Sequence, residues 1–277
     1  MGFYKPVLAS LTLALVSGVL IASPVTGNSA SSQHTLYVSA IDWCPQICPT
    51  TPDKPGYLVE MIDDLFRESE FQLDFEYVPW SRAIYRVKTG QTDALLSPSK
   101  EEAPDLRYHL EPLSYQTHCF WKLKDSDWHF KGLESLTSKP FVIYRDHSYV
   151  SFFASGKVPI NSDHYFEISY DERYIPRAIQ LLEAKRANTF IFTVNSVIFY
   201  QQMQKRQPLV VDECIKRDEL WFALSPKPSH KIDAIQAHLD TSLGSYKKTE
   251  RYRALLNKYN VILPALYNER PHTENDR

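Results

Sequence analysis

The order in which hydrophobic periodicity changes along the chain limits the fold more than any other feature. Over residues 34–41, Leu36, Val38 and Ala40 alternate with Thr35, Tyr37 and Ser39, which is the period of a strand. Residues 57–69 place Leu58, Met61, Ile62, Leu65 and Phe66 on one helical face. Residues 71–78 alternate again until Pro79 stops them. Residues 80–89 read as a helix with Gly90 as its C-cap signal, and residues 93–96 as a short buried strand. This β-α-β-α-β order calls for parallel strands joined by helical crossovers.

The pattern then repeats in a second block. A long strand at 115–123 leads away. Strands at 141–144, 166–169 and 189–192 follow, alternating with a helix start at 146–149 and helices at 171–186 and 196–204. A strand at 220–224 leads back, and helices at 231–243 and 249–259 close the chain. A second α/β block inserted into the first predicts two lobes, each a mostly parallel sheet flanked by helices, joined by two crossing hinge strands. The expected division is 31–117 with 225–267 for the first lobe and 118–224 for the second, with a disordered tail at 268–277. A cleft between such lobes is the default ligand site, and two crossover strands permit hinge closure.

Residues 1–30 read as a secretory signal: one cation at Lys5, an apolar run over 7–22, then the small-residue exit Ser23-Pro24-Val25-Thr26-Gly27-Asn28-Ser29-Ala30. The apolar run is short for a bilayer span, so a retained anchor is the weaker alternative. Cleavage falls anywhere from Ala22 to Ala30, and the first cysteine, Cys44, is too distant for a lipidated N-terminus. The four cysteines, Cys44, Cys48, Cys119 and Cys214, favour disulfides in an exported chain. Cys44 with Cys48 is the first reading. Cys119 with Cys214 then requires that their Cα atoms come within bridging distance. Zinc at Cys44 and Cys48 is the alternative, but no second ligand pair stands at suitable spacing and the nine histidines are scattered. No metal and no cofactor are expected. A net charge of −2 gives no electrostatic case for nucleic acid.

Ligands on such sheets sit beyond the C-terminal strand ends. The loops there hold Trp43, then Trp80 and Arg82, then Ser97, Ser99 and Lys100. Trp43 and Trp80 either stack on a ligand or plug the lobe core. Arg82 either binds an anion or pairs with Glu60 or Asp63. Ser97, Ser99 and Lys100 follow a buried strand directly, which favours a binding role. Asp146, His147, Ser148 and Tyr149 combine a helix N-terminus with polar side chains, suited to an anion or to ordinary capping.

At this point the chain resembles a known family, the family 3 extracellular solute-binding proteins of amino-acid-type ABC transporters. The residues that carry the resemblance are Trp43-Cys44-Pro45-Gln46-Ile47-Cys48, Lys54-Pro55-Gly56-Tyr57-Leu58-Val59-Glu60-Met61, Val78-Pro79-Trp80-Ser81-Arg82-Ala83 and Lys88-Thr89-Gly90-Gln91-Thr92-Asp93-Ala94. Asp146-His147-Ser148-Tyr149 and Leu220-Trp221-Phe222-Ala223-Leu224-Ser225-Pro226 continue it in the second half. The resemblance implies the type II periplasmic binding fold and a monomer that captures a small-molecule solute in the periplasm. It also implies an ABC permease, or a membrane receptor, as partner. Amino-acid-binding members carry an Arg after the third strand that clamps the solute carboxylate. The matching position here is Glu102 or Lys100, and the second-lobe residue facing the solute is Thr193 or Asn195.

An enzyme is the competing class, since relatives of this fold include dehydratases, and His147 with Asp146 or Glu102 would be its acid–base pair. No Ser-His-Asp order, phosphate loop or metal pattern supports it, and the expectation is a binder without catalysis.

Overall fold

Two separate sheets organise the chain in the computed structural model, which describes residues 1–3, 34–145, 149–154, 160–169, 171, 173–203 and 208–263. The expected secretory signal apart from residues 1–3, the expected C-terminal tail, and Asp146, His147 and Ser148 lie outside those residues.

The first sheet has the order β2-β1-β3-β9. β1 (His34–Ala40) runs parallel to both β2 (Phe71–Tyr77) and β3 (Ala94–Leu96), with His34 opposite Phe71 and Val38 opposite Ala94. α1 (Tyr57–Phe66) and α2 (Trp80–Thr89) supply the crossovers, as the alternation of periods requires. α1 buries Tyr57, Leu58, Met61, Ile62, Leu65 and Phe66. α2 ends where Gly90 takes a left-handed turn at φ 78° and returns its N–H to Val87. β9 (Phe222–Leu224) joins antiparallel to β3, and α6 (His230–Tyr246) and α7 (Glu250–Lys258) pack against α1.

The second sheet has the order β6-β5-β7-β4-β8. β5 (Phe141–Tyr144) is parallel to β6 (Tyr165–Ile168) and β7 (Phe190–Thr193). The short α3 (Val150–Ala154), then α4 (Tyr174–Glu183), connect these strands, and α5 (Val194–Met203) follows β7. β4 (Ser114–Leu123) and β8 (Leu209–Leu220) extend the trio as an antiparallel pair. These two strands carry the chain from the first sheet to the second and back.

The return differs from the sequence expectation. A single strand at 220–224 was the expected connection; instead β8 is a long strand that ends at Leu220, and β9 begins after Trp221. β8 is the outermost strand of its sheet and pairs on one side only, so Asp212, Glu213, Lys216 and Arg217 are accommodated without burial on two faces. Those charges hide the strand period in the sequence. The 171–186 helix is also shorter than expected: Asp171 accepts the N–H of Arg173 ahead of α4, and Lys185 leaves the helix at φ 55°.

Both expected disulfides form. Cys44–Cys48 closes a loop after β1, and Cys119–Cys214 joins β4 to β8 with Cα atoms 3.9 Å apart at a sequence separation of 95. The chain-entropy account makes the bridge over the longer loop the stronger constraint on the unfolded chain. Denaturant unfolding should therefore rank the two pairs of substitutions: about 4–5 kcal/mol lost for Cys119→Ala with Cys214→Ala, and about 2 kcal/mol for Cys44→Ala with Cys48→Ala. Equal losses would contradict that ordering.

Candidate functional site

The loop after β1 is held rigid before any side chain is considered. Trp43 and Ile47 exchange backbone hydrogen bonds of 2.7 and 2.9 Å across the Cys44–Cys48 turn. Cys48 N–H donates to Pro55 O, and Tyr57 N–H to Pro45 O. Gly56, at φ 115°, lies so close that a Cβ there would sit 2.3 Å from Gln46 O, which is why the Lys54-Pro55-Gly56-Tyr57 tract needs glycine. The result is a fixed Trp43 at the C-terminal edge of the first sheet.

The loop after β3 is fixed by the connection between β8 and β9. Ser97 N–H donates to Trp221 O at 2.8 Å, and Trp221 N–H to Pro98 O at 3.0 Å. Ser97 itself has φ 72°, a left-handed conformation unfavourable for any residue with a Cβ. Such strain persists where surrounding structure enforces it, and it concentrates at ligand sites. Ser99 then caps the next turn: Glu102 Oε2 accepts from Ser99 N–H at 2.9 Å and from its hydroxyl at 3.0 Å, and Ser99 Oγ accepts from Glu102 N–H at 3.2 Å.

These loops face the second sheet across a cavity that is partly open to solvent. Ile41, Trp43, Trp80, Ser97 and Glu102 form one wall. Gln116 on β4, Tyr144 and Arg145 at the end of β5, and Phe192 and Thr193 at the end of β7 form the other. Three buried polar atoms on these walls, Trp43 Nε1, Ser97 Oγ and Gln116 Oε1, have no hydrogen-bond partner among the described residues. Buried polar groups are almost always paired, and leaving one unpaired costs about 1–3 kcal/mol. Three unpaired atoms on one cavity thus form a set of contacts ready for a solute or water. Burial pushes the Glu102 carboxyl above the usual carboxylate range, and its bonds from Ser99 offset that only in part.

Of the residues singled out in the sequence, Trp43, Trp80, Ser97 and Thr193 meet on this cavity. Of the two positions weighed after β3, Glu102 stands in the wall, whereas Lys100 Nζ lies 4.0 Å above the Trp221 ring. Ser99 is buried and spends its side chain on Glu102. Arg82 is exposed on α2, and neither Glu60 nor Asp63 pairs with it; Glu60 instead holds Lys258 at 2.6 Å. Asn195 fastens the segment after α7, accepting Ile262 N–H at 2.9 Å. Tyr149 is fully buried, with its hydroxyl 2.7 Å from His118 Nδ1.

His118 Nε2 in turn lies 3.2 Å from Asp218 Oδ2, while Lys216 Nζ reaches Asp218 at 3.3 Å and Glu101 at 2.7 Å. Burial raises the Asp218 carboxyl, but His118 and Lys216 outweigh it and hold the group below the usual range. This network fixes β4 and β8 to each other and to the Glu101 turn of the first sheet.

Ile41, Gln116, Tyr144, Arg145 and Phe192 are cavity residues that the sequence did not single out. Arg145 and Phe192 each neighbour a residue that it did, and strand-end position alone would have included them. Gln116 gave no signal, because one polar residue on an alternating strand looks like any solvent-facing position.

Ser97 offers a direct check. Ser97→Gly removes both the left-handed strain and an unpaired buried hydroxyl, so ligand-free stability in urea should rise by about 1 kcal/mol. A loss of stability would show that the hydroxyl is held within the protein.

No protein-family profile matches the chain, and no curated protein does. Solved structures do. One is a histidine kinase sensor domain with similarity to periplasmic binding proteins, at TM-score 0.68 and 19% identity, covering 84% of this chain and 99% of that one. A probable amino-acid ABC transporter extracellular-binding protein, ytmK from Bacillus subtilis, gives TM-score 0.65 at 16% identity over 82% and 97%. A mutant of ArgBP from T. maritima gives 0.64 at 15% identity over 82% and 95%. The paired sheets, the two crossing strands and these likenesses together identify the fold as the two-lobed α/β fold of type II periplasmic binding proteins.

Proposed function

We propose that this chain is an exported solute-binding protein that captures a small polar solute between its two lobes and performs no chemistry on it. The observation that carries the reading is the cavity whose walls come from both sheets and whose three unpaired polar atoms come from both walls. A solute that completes those hydrogen bonds touches both lobes at once, and only a ligand with such differential contacts can bias an open–closed equilibrium. We place the hinge at the junctions Leu113–Ser114 and Leu220–Phe222, where the chain passes between sheets, a few residues from the expected boundaries of 31–117 with 225–267 and 118–224, so that Ser114–Leu220 moves against the rest.

The fold and the two disulfides fit an extracellular setting, and export through residues 1–30 to the periplasm belongs to the same proposal. The closed form would be read by an ABC-type permease, with the chain acting as a monomer. The likeness to a histidine kinase sensor domain favours a second reading, in which the same closure reports to a membrane receptor.

A thermal-shift screen of amino acids, polyamines, small carboxylates and oligosaccharides tests the binding claim. At 100 times its Kd, a solute stabilises the folded protein by about 2.7 kcal/mol. Binding should also change tryptophan fluorescence, because Trp43 and Trp80 stand in the wall. No stabilisation by any solute, together with turnover of a carboxylic substrate, would replace the binder with an enzyme.

A further inference from the structure

Three side-chain oxygens on the cavity walls accept from no described residue, beside one indole donor, Trp43 Nε1, that is also unpaired. Glu102 commits Oε2 to Ser99, whereas Oε1 hydrogen-bonds to no described residue. Among the described residues no Lys, Arg or His lies within 4.0 Å of this carboxylate. The cations nearest in sequence or space are otherwise engaged: Lys216 with Glu101 and Asp218, and Lys100 above Trp221. Gln116 Oε1 is a second acceptor without a partner, and Ser97 Oγ can accept as readily as donate. Trp43, Trp80, Tyr144 and Phe192 supply four aromatic rings around these atoms. Among the described residues Arg145 is the cation in the wall, and its Nε faces Glu167 at 3.8 Å.

A buried carboxylate is costly unless a cation or several donors reach it. An anionic solute would meet Glu102 directly, with Arg145 and the Trp43 indole N–H as its favourable contacts among the described residues. An ammonium group brings three donors and a positive charge to a site that offers three acceptors, and aromatic faces attract cations beyond what their area explains.

We propose that the solute is an organic cation, a primary ammonium carried on an apolar or aromatic body. Its head is held by Glu102 Oε1, Gln116 Oε1 and Ser97 Oγ, and its body lies among Trp43, Trp80, Tyr144 and Phe192. This assignment rests on the solute-binding reading above and deepens it by naming the chemical class.

The test is calorimetric titration of the exported protein with three probes that share a phenyl ring: phenethylamine, L-phenylalanine and 3-phenylpropionate. Phenethylamine should bind at least about 10-fold more tightly than 3-phenylpropionate, as expected for hydrogen bonds to a charged group. Glu102→Gln, which keeps an acceptor for Ser99, should weaken phenethylamine by about 10-fold or more and erase its preference over the anion. Gln116→Leu, which leaves the Ser99–Glu102 turn intact, should weaken the amine by several fold and serves if the first variant does not fold. Tighter binding of 3-phenylpropionate or phenylalanine overturns the cation assignment and leaves solute binding standing. Unchanged amine affinity in both variants overturns it as well. Failure of all three probes overturns the assignment, and failure of the wider solute screen in addition removes the binding reading itself.

Discussion

The antiparallel pairing of β4 with β8 is the constraint on which the rest of the molecule depends. It begins at Ser114 opposite Leu220, where the chain leaves and re-enters the first sheet, and runs to Leu123 opposite Leu209. Cys119–Cys214 locks it covalently, and the His118–Asp218–Lys216 network locks it by charge and hydrogen bonding. Because the two passages are neighbours in one ladder, the closure proposed above would pivot at their common end. The same ladder places Gln116 two residues beyond that end, in the cavity wall, so a proposed solute contact lies next to the proposed pivot. Lys216 reaching Glu101 ties the pivot to the turn that presents Glu102.

Around this frame the site is built from strand ends, and its irregularities gather there. Ser97 is left-handed because Trp221 grips its N–H from the returning chain, while Trp221 itself is covered by Lys100 and flanked by Tyr108 and His109. Burial draws His109 down to about 4, which keeps its ring neutral beside Trp221. The first lobe thus commits packing, backbone hydrogen bonds and a disulfide loop to holding Trp43, Ser97 and Glu102 in place. Their cavity-facing atoms are left unpaired, which is the arrangement expected of a preorganised binding surface.

Much of this was readable in the residues. Strong periodicity located β1, β2 and α2 to within a residue and the start of α1, which ends at Phe66, three residues earlier than expected. Trp43, Trp80, Ser97 and Thr193 could be picked from their places at strand ends. β8 could not, since an outer strand carrying Asp212, Glu213, Lys216, Arg217, Asp218 and Glu219 has no apolar alternation to read. Nor could the choice between Lys100 and Glu102. It turns on the direction Ser99 imposes by capping. Gln116 and Arg145 entered the site through the way the sheets face each other, which is information carried by no local segment.

The central claim is that one solute engages both lobes through this cavity. Hydrogen–deuterium exchange with and without a solute that raises the melting temperature tests it most directly. The account predicts slowed exchange at residues 41–47 and 96–103 of the first lobe together with residues 114–118, 143–145 and 191–195 of the second. Protection confined to one lobe, or centred away from these segments, would contradict it.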